Sequence, residues 1–233
     1  ATVVTYTGEH FPVTQGAYDT SYDSGGDVAL ARLAPHGRSL YYSTFLGGAG
    51  ADGGAAVHVT PDGRAILVGF TTGLFPVTEG AFDTSYNGGP TDIFAASLDL
   101  FLKGIRAHGA STPAACQPGA ILLNATRMPV ADDARFGLYA TGAPRGAQGW
   151  LLLGTPSPTP TVVAGTALWL DLHLPLTRKR VEVDPLGFVE SSLSLAGLAQ
   201  GASFGCQLVL VNPPGCAATS IFSASNAIVV TAQ

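Results

Sequence analysis

The apolar positions of this chain fall into short runs broken by glycine and proline, a pattern that predicts strands and tight turns throughout. In the first hundred residues the runs are ATVVTYT (1–7), DVALARL (27–33), SLYYSTFL (39–46), AAVHVT (55–60), AILVGFT (65–71) and DIFAASL (92–98), many of them rich in β-branched and aromatic side chains. Between two of them the turn PDGR (61–64) supplies Pro-Asp-Gly chemistry, so 55–60 and 65–71 are expected to form a hairpin. GGAGADGG (47–54) reads as a flexible connection, because each glycine brings backbone entropy that a regular element must remove.

Two stretches share one sequence. FPVTEGAFDTSYNGGPTDIFAASL (75–98) repeats FPVTQGAYDTSYDSGGDVALARL (11–33), and 65–71 repeats 1–7 at the same upstream spacing, with one extra residue near Thr91. About half of the aligned positions are identical, so this part of the chain is a repeat protein. Each unit holds about four short strands, as expected of a propeller blade with one long loop.

The string FPVT-GA-DTSY-GG-D before an apolar strand, then YSTFLGG, then PDG before another apolar strand, resembles the bacterial propeller-type repeat called SBBP, found in secreted and surface proteins. The resemblance covers residues 1–99 and implies propeller-like sheets. The chain departs from it by carrying fewer than two complete units, whereas a closed propeller needs at least about four blades. Closure within one chain is therefore not expected.

Past residue 99 the texture changes. HGASTPAAC (108–116) reads as a linker between a repeat domain at 1–107 and a second domain at 117–233. The later runs RFGLYAT (135–141), GWLLLG (149–154), ALWLDLHL (167–174), FVESSLSL (188–195), SFGCQLVLV (203–211) and AIVVT (227–231) have the spacing of a β-sandwich, and TPSPTPT (155–161) is an extended segment able to join strands across an edge. GAPRGAQGWLLLG, LGF, ASFGCQLVLVNPPGC and SNAIVVT resemble the C-terminal β-domain of large secreted proteins of planctomycetes and myxobacteria. That resemblance bears on compartment and fold more than on activity. The expected fold class is all-β: an incomplete propeller-like β-repeat domain followed by a β-sandwich domain.

Composition narrows the function classes. Hydrophobic residues make up 46% of the chain and charged ones only 12%, with 30 glycines and 16 prolines. The net charge is -5, and Arg178, Lys179 and Arg180 are the one basic cluster, so nucleic acid is excluded as an expected partner. No run approaches the roughly 18 apolar residues of a membrane span, so none is expected. Ala1 suits the small residue beside a cleavage site, consistent with an extracellular or bacterial cell-surface protein after removal of a signal peptide. The cysteines at 116, 206 and 216 lack CxxC spacing. Cys116 and Cys216, in the loops ACQPG and PPGCA, are expected to pair; Cys206, within GCQLVLV, is expected to be a buried thiol acting as a small hydrophobe.

The repeated acidic loop is the candidate site. Asp19, Asp23 and Asp27 recur four residues apart, and Asp83, Asn87 and Asp92 take the corresponding places in the second copy. Hard oxygen donors in a glycine-rich loop suit calcium, while the same side chains also close Asx turns on their own backbone. No cofactor is required by the sequence; calcium is the candidate. The histidines at 10, 36, 58, 108 and 173 are scattered, and His58 alternates with Val57 and Val59 as the polar face of a strand. Asp52, the pair Asp132 and Asp133, and the pair Glu182 and Asp184 are further carboxylates that no spacing brings together. Without a GxSxG elbow, an HExxH helix or a phosphate-cradling loop, the expectation is not an enzyme.

Tyr18, Tyr22, Tyr41, Tyr42, Phe82 and Tyr86 fit either a carbohydrate-stacking surface or the core between sheets, with core packing favoured; Trp150 and Trp169 are expected in the sandwich core. A repeat with too few copies leaves sheet edges and faces uncovered. They are expected to be covered by other copies of the chain, through Phe11, Tyr22, Phe75 and Tyr86, in an extracellular filament or surface layer, or by absent repeats of a longer protein. The alternative function is a ligand-binding or adhesive module, for a glycan or protein, of a larger surface propeller.

Overall fold

The computed structural model describes residues 2–60, 62–117, 119–216 and 220–233. Ala1 with its expected cleavage role, Pro61 of the PDGR turn, and Pro118 and Ala217 of the two cysteine loops lie outside the described residues. The fold is all-β: the described residues form strands joined by turns and loops, in several separate sheets with no closed barrel. Among the described residues no helix is long and apolar enough to cross a membrane. The chain divides between Leu102 and Lys103 into two compact units.

In the first unit, β1 (Thr2–Thr7), β2 (Asp27–Leu33) and β3 (Leu40–Leu46) form one antiparallel sheet. A second antiparallel sheet contains β4 (Asp52–Val59), β5 (Arg64–Thr71) and β6 (Asp92–Asp99). β4 and β5 form the expected hairpin, closed by the Thr60 N–H donating to Arg64 O at 2.9 Å. β4 begins earlier than expected, inside the glycine run read as irregular. A Cβ on Gly53 would strike the Phe70 ring, and one on Gly54 would strike Val4, so bare backbone is what lets this strand approach both. The bulge between Gly54 and Ala56 absorbs the irregularity. β4 packs on β1 and β2, and the interior of β2 (Val28, Ala29, Leu30, Ala31) is buried on both faces.

The second unit contains β7 (Ile105–His108), β8 (Leu122–Ala125), β9 (Gly137–Thr141), β10 (Gln148–Gly154), β11 (Pro156–Val163), β12 (Thr166–Leu170), β13 (Thr177–Glu182), β14 (Val189–Ser192), β15 (Ser203–Val211), β16 (Phe222–Ala224) and β17 (Ala227–Thr231). The largest sheet runs β13-β10-β15-β17-β7 with β16 also on β15; β14-β9-β8 and β11-β12 form two smaller sheets. Leu123, Leu138 and Val189 of the three-stranded sheet meet Leu151, Val181 and Leu208 of the largest one, and this is the unit's apolar core.

The domain boundary differs from the expected linker. Residues 103–107, placed with the repeat, belong to the second unit, where β7 pairs with β17. The segment 108–116 is tied into that unit as well: Thr112 bridges Ala224, and Cys116 is disulfide-bonded to Cys216 with their Cα atoms 4.8 Å apart. Cys206 is free and fully buried, and burial pushes its thiol pKa up. Trp150 departs from its expected core position. It stands on the outer side of β10 and is partly exposed, while Trp169 is half-buried and donates its indole N–H to Ala110 O at 3.1 Å.

Candidate functional site

The two acidic loops fold alike at short range. Ser21 N–H and Oγ donate to Asp19 Oδ1 at 2.9 and 2.7 Å; Ser85 N–H and Oγ donate to Asp83 Oδ1 at 2.9 and 2.8 Å. Upstream, Ala17 N–H donates to Thr14 O at 3.2 Å and Ala81 N–H to Thr78 O at 3.1 Å. Asp19 and Asp83 therefore spend one carboxylate oxygen each on Asx turns.

At long range the copies diverge. The first loop lies along β3: Thr14 and Ser43 exchange backbone and hydroxyl hydrogen bonds, Tyr18 N–H donates to the Tyr42 hydroxyl at 3.1 Å, and Phe45 N–H donates to Asp19 O at 3.0 Å. Phe11 and Tyr22 both pack on the Phe45 ring, with centroids 6.2 and 5.8 Å away. These two residues, expected at a contact between copies, are used inside the unit. In the second loop Phe75 stacks on Phe94 at 4.1 Å, Tyr86 donates its hydroxyl to Gly89 O at 2.6 Å, and residues 76–91 are exposed, Phe82 completely. Of the tyrosines considered for core or glycan stacking, Tyr41 and Tyr42 are buried and Tyr18 is exposed.

The carboxylates of the second copy share an amide. Asn87 Nδ2 donates to Asp83 Oδ2 at 2.9 Å and to Asp92 Oδ2 at 3.4 Å, while Asn87 N–H donates to Asp92 Oδ2 at 2.9 Å. Asp83 is held down to a pKa of about 2, first by the Ser85 N–H, then by the Asn87 amide and the Ser85 hydroxyl.

The first copy has Asp23 where the second has Asn87, so the bridging amide of the second copy has no counterpart at that position. Instead the fold brings in Asp52, a residue the sequence left unassigned. Asp27 is 1% exposed and Asp52 0% exposed, at the mouths of β2 and β4. Asp23 N–H donates to Asp27 Oδ2 at 3.3 Å, and Gly48 N–H to Asp52 Oδ2 at 2.9 Å. The other oxygen of each, Oδ1, is buried without a hydrogen-bond partner. A Cβ built on Gly47 would lie 2.8 Å from Asp27 Oδ1 and 2.8 Å from Asp52 Oδ2, so the two carboxylates converge over that glycine. Burial raises the Asp27 pKa, and the nearby Asp23, Asp52 and Asp19 charges raise it further, against the lowering effect of the Asp23 N–H.

Among the described residues no three His, Cys, Asp or Glu side chains gather closely enough to hold an ion by themselves. Asp132, Asp133 and Asp184 tie their loops to the backbone or to arginines. Asp133 accepts from Arg135 N–H at 2.8 Å and pairs with Arg127, Asp132 accepts from Gly197 N–H at 2.8 Å, and Asp184 accepts from Leu186 N–H at 2.8 Å. His108 Nε2 lies 2.6 Å from Ser157 O. No family model, curated protein or solved structure matches this chain.

Proposed function

We propose that this chain is a secreted, non-catalytic structural β-protein that assembles into an extracellular filament or surface layer, and that its first unit is an SBBP-like repeat segment. The observation that carries this reading is an uncovered apolar face. On the outer side of β5 and β6 stand Ile66, Val68, Phe70 and Ile93, all exposed, Ile93 at 85%. The repeat aligns Val68 with Val4 and Ile93 with Val28, and those two are covered by the Gly54 backbone of β4. The molecule thus contains one covered and one open version of the same face.

Another copy is the occupant that reproduces the covered arrangement. Its first sheet presents an exposed Val3 on the side opposite Val4, and β1 and β6 each pair with a single strand among the described residues. A head-to-tail contact between an open end and the open face of a neighbour does not pair a patch with itself, so it propagates. The Cys116–Cys216 disulfide supports an oxidising, extracellular compartment. Electron microscopy and light scattering of the purified protein test the reading: ordered polymers are expected, and a monodisperse monomer at high concentration sinks it.

The alternative, a glycan-binding or protein-binding adhesive module of a larger surface propeller, is favoured by one observation. Phe82 and Tyr86 lie exposed in the second loop, as do Leu74 and Val77 in the preceding sequence, and exposed aromatics suit stacking on a ligand. Selective binding on a glycan array, lost on Phe82→Ala, would support it over assembly.

A further inference from the structure

We propose that Asp27 and Asp52 are the paired anionic ligands of one calcium ion in the first repeat, held at the point where β2 and β4 begin. Both carboxylates are buried, each has one oxygen bonded to a backbone N–H, and each has a second oxygen with no partner. Neither forms an ion pair with an arginine, lysine or histidine among the described residues. Burying two negative groups side by side without a positive one is costly, because removing charge from water is repaid only by a compensating charge.

The second copy shows what compensation looks like. There Asn87 reaches both Asp83 and Asp92 with its amide N–H groups. The first copy replaces that amide with Asp23, adds Asp52, and so has more negative groups and fewer donors in the corresponding place. A cation supplies what the amide supplies in the other copy.

The donor set selects the cation. All the groups are oxygens, which suits a hard ion and not zinc or copper. Asp27 Oδ1 and Asp52 Oδ2 lie on one side of Gly47, each 2.8 Å from where a Cβ there would stand, so the missing side chain at Gly47 is what lets the two carboxylates approach each other. Calcium takes about six to eight oxygens in loose geometry, and backbone carbonyls and water make up such a number around two carboxylates. Magnesium demands a stricter octahedron and keeps its water, a poorer match to a buried pair. This site does not depend on assembly, and it differs from an ion held by Asp19 or Asp83, whose inner oxygens are committed to Ser21 and Ser85.

Calorimetric titration of the full chain with calcium chloride, and separately with magnesium chloride, tests the proposal. One calcium per chain is expected, with affinity in the range of about 0.1 to 1 mM or tighter, and no comparable magnesium binding. Asp52→Asn is expected to weaken binding at least about tenfold by removing ligand charge, and Asp83→Asn to leave it unchanged. Carboxyl carbon-13 shifts of the wild-type protein ask the same question without a substitution that fails to fold. Calcium is expected to move Asp27 and Asp52 and leave Asp83 in place. No heat and no carboxyl shift up to about 10 mM calcium overturns the site; calcium shifts confined to Asp19, Asp23 or Asp83 overturn it as well.

Discussion

The first and second copies of the repeat share about half of their residues yet live in different surroundings. Val28 is 0% exposed and its counterpart Ile93 is 85% exposed. The Asp19–Ser21 and Asp83–Ser85 turns carry the same hydrogen bonds in both copies. Turn geometry is therefore a property of the local sequence, whereas burial is a property of what lies alongside. The first loop has β3 to lie on. After β6 the chain instead runs into β7, which pairs with β17, and among the described residues the second loop has no such strand.

The largest effect is expected where that support is removed. Phe45→Ala takes away the ring on which Phe11 and Tyr22 pack and should cost about 3–5 kcal/mol, the range for truncating a buried aromatic. Native-state proteolysis should then cut the first loop as readily as the second; persistent protection of residues 11–22 would show that β3 is not what orders the loop. A slightly smaller contrast separates the two faces. Leu30→Ala, in fully buried β2, should cost about 2–5 kcal/mol by denaturant titration. Ile93→Ala should stay within about 0.5 kcal/mol, as at an exposed site. Ile93→Asp should leave the fold intact and abolish the polymers expected by electron microscopy; unchanged polymers would break the link between the open face and assembly.

Most first-unit strands were legible because each is an apolar run bounded by turn residues, as in DVALARL, which becomes β2 end for end. The start of β4 was hidden because Asp52, Gly53 and Gly54 look like a linker. Their reason for being a strand is the Phe70 ring and Val4, which lie elsewhere in the sequence. β13 (TRKRVE) was missed because Val181 alone among its residues faces the core, so no apolar run announces it. β7 was missed because its partner β17 comes more than a hundred residues later. The candidate site was half legible. Asp27 stood out by its four-residue spacing, but Asp52 joins it only through the packing of β4 against β2, and the one local hint was its glycine-rich flank.

The acidic loops also predict opposite responses to pH. The Asp27 pKa is raised above its ordinary value of 3.8, so without a bound cation its contribution to stability is full below that value and is lost as pH rises through the folded pKa. The Asp83 pKa is lowered from 3.8 to about 2, so its contribution is full above 3.8 and is lost as pH falls toward about 2. Carboxyl carbon-13 titration in the presence of chelator should place the two midpoints on opposite sides of 3.8. Added calcium should move the Asp27 midpoint down and leave Asp83 where it is; a common midpoint for both would erase the electrostatic difference between the copies.

The smallest expected effect comes from making the second copy resemble the first. Asn87→Asp removes the amide that donates to Asp83 Oδ2 at 2.9 Å and places a carboxylate beside Asp83 and Asp92. Asp83 keeps the Ser85 N–H, its largest stabilising partner, so its pKa should rise from about 2 without passing 3.8. The acid-side loss of its contribution then moves to higher pH. If the midpoint stays near 2, the Ser85 turn alone sets it, and the amide does not do for the second copy what a cation is proposed to do for the first. Because Asp92 is only half-buried, unlike Asp27, the variant should gain at most weak calcium binding, which separates the acidic loop from the buried pair.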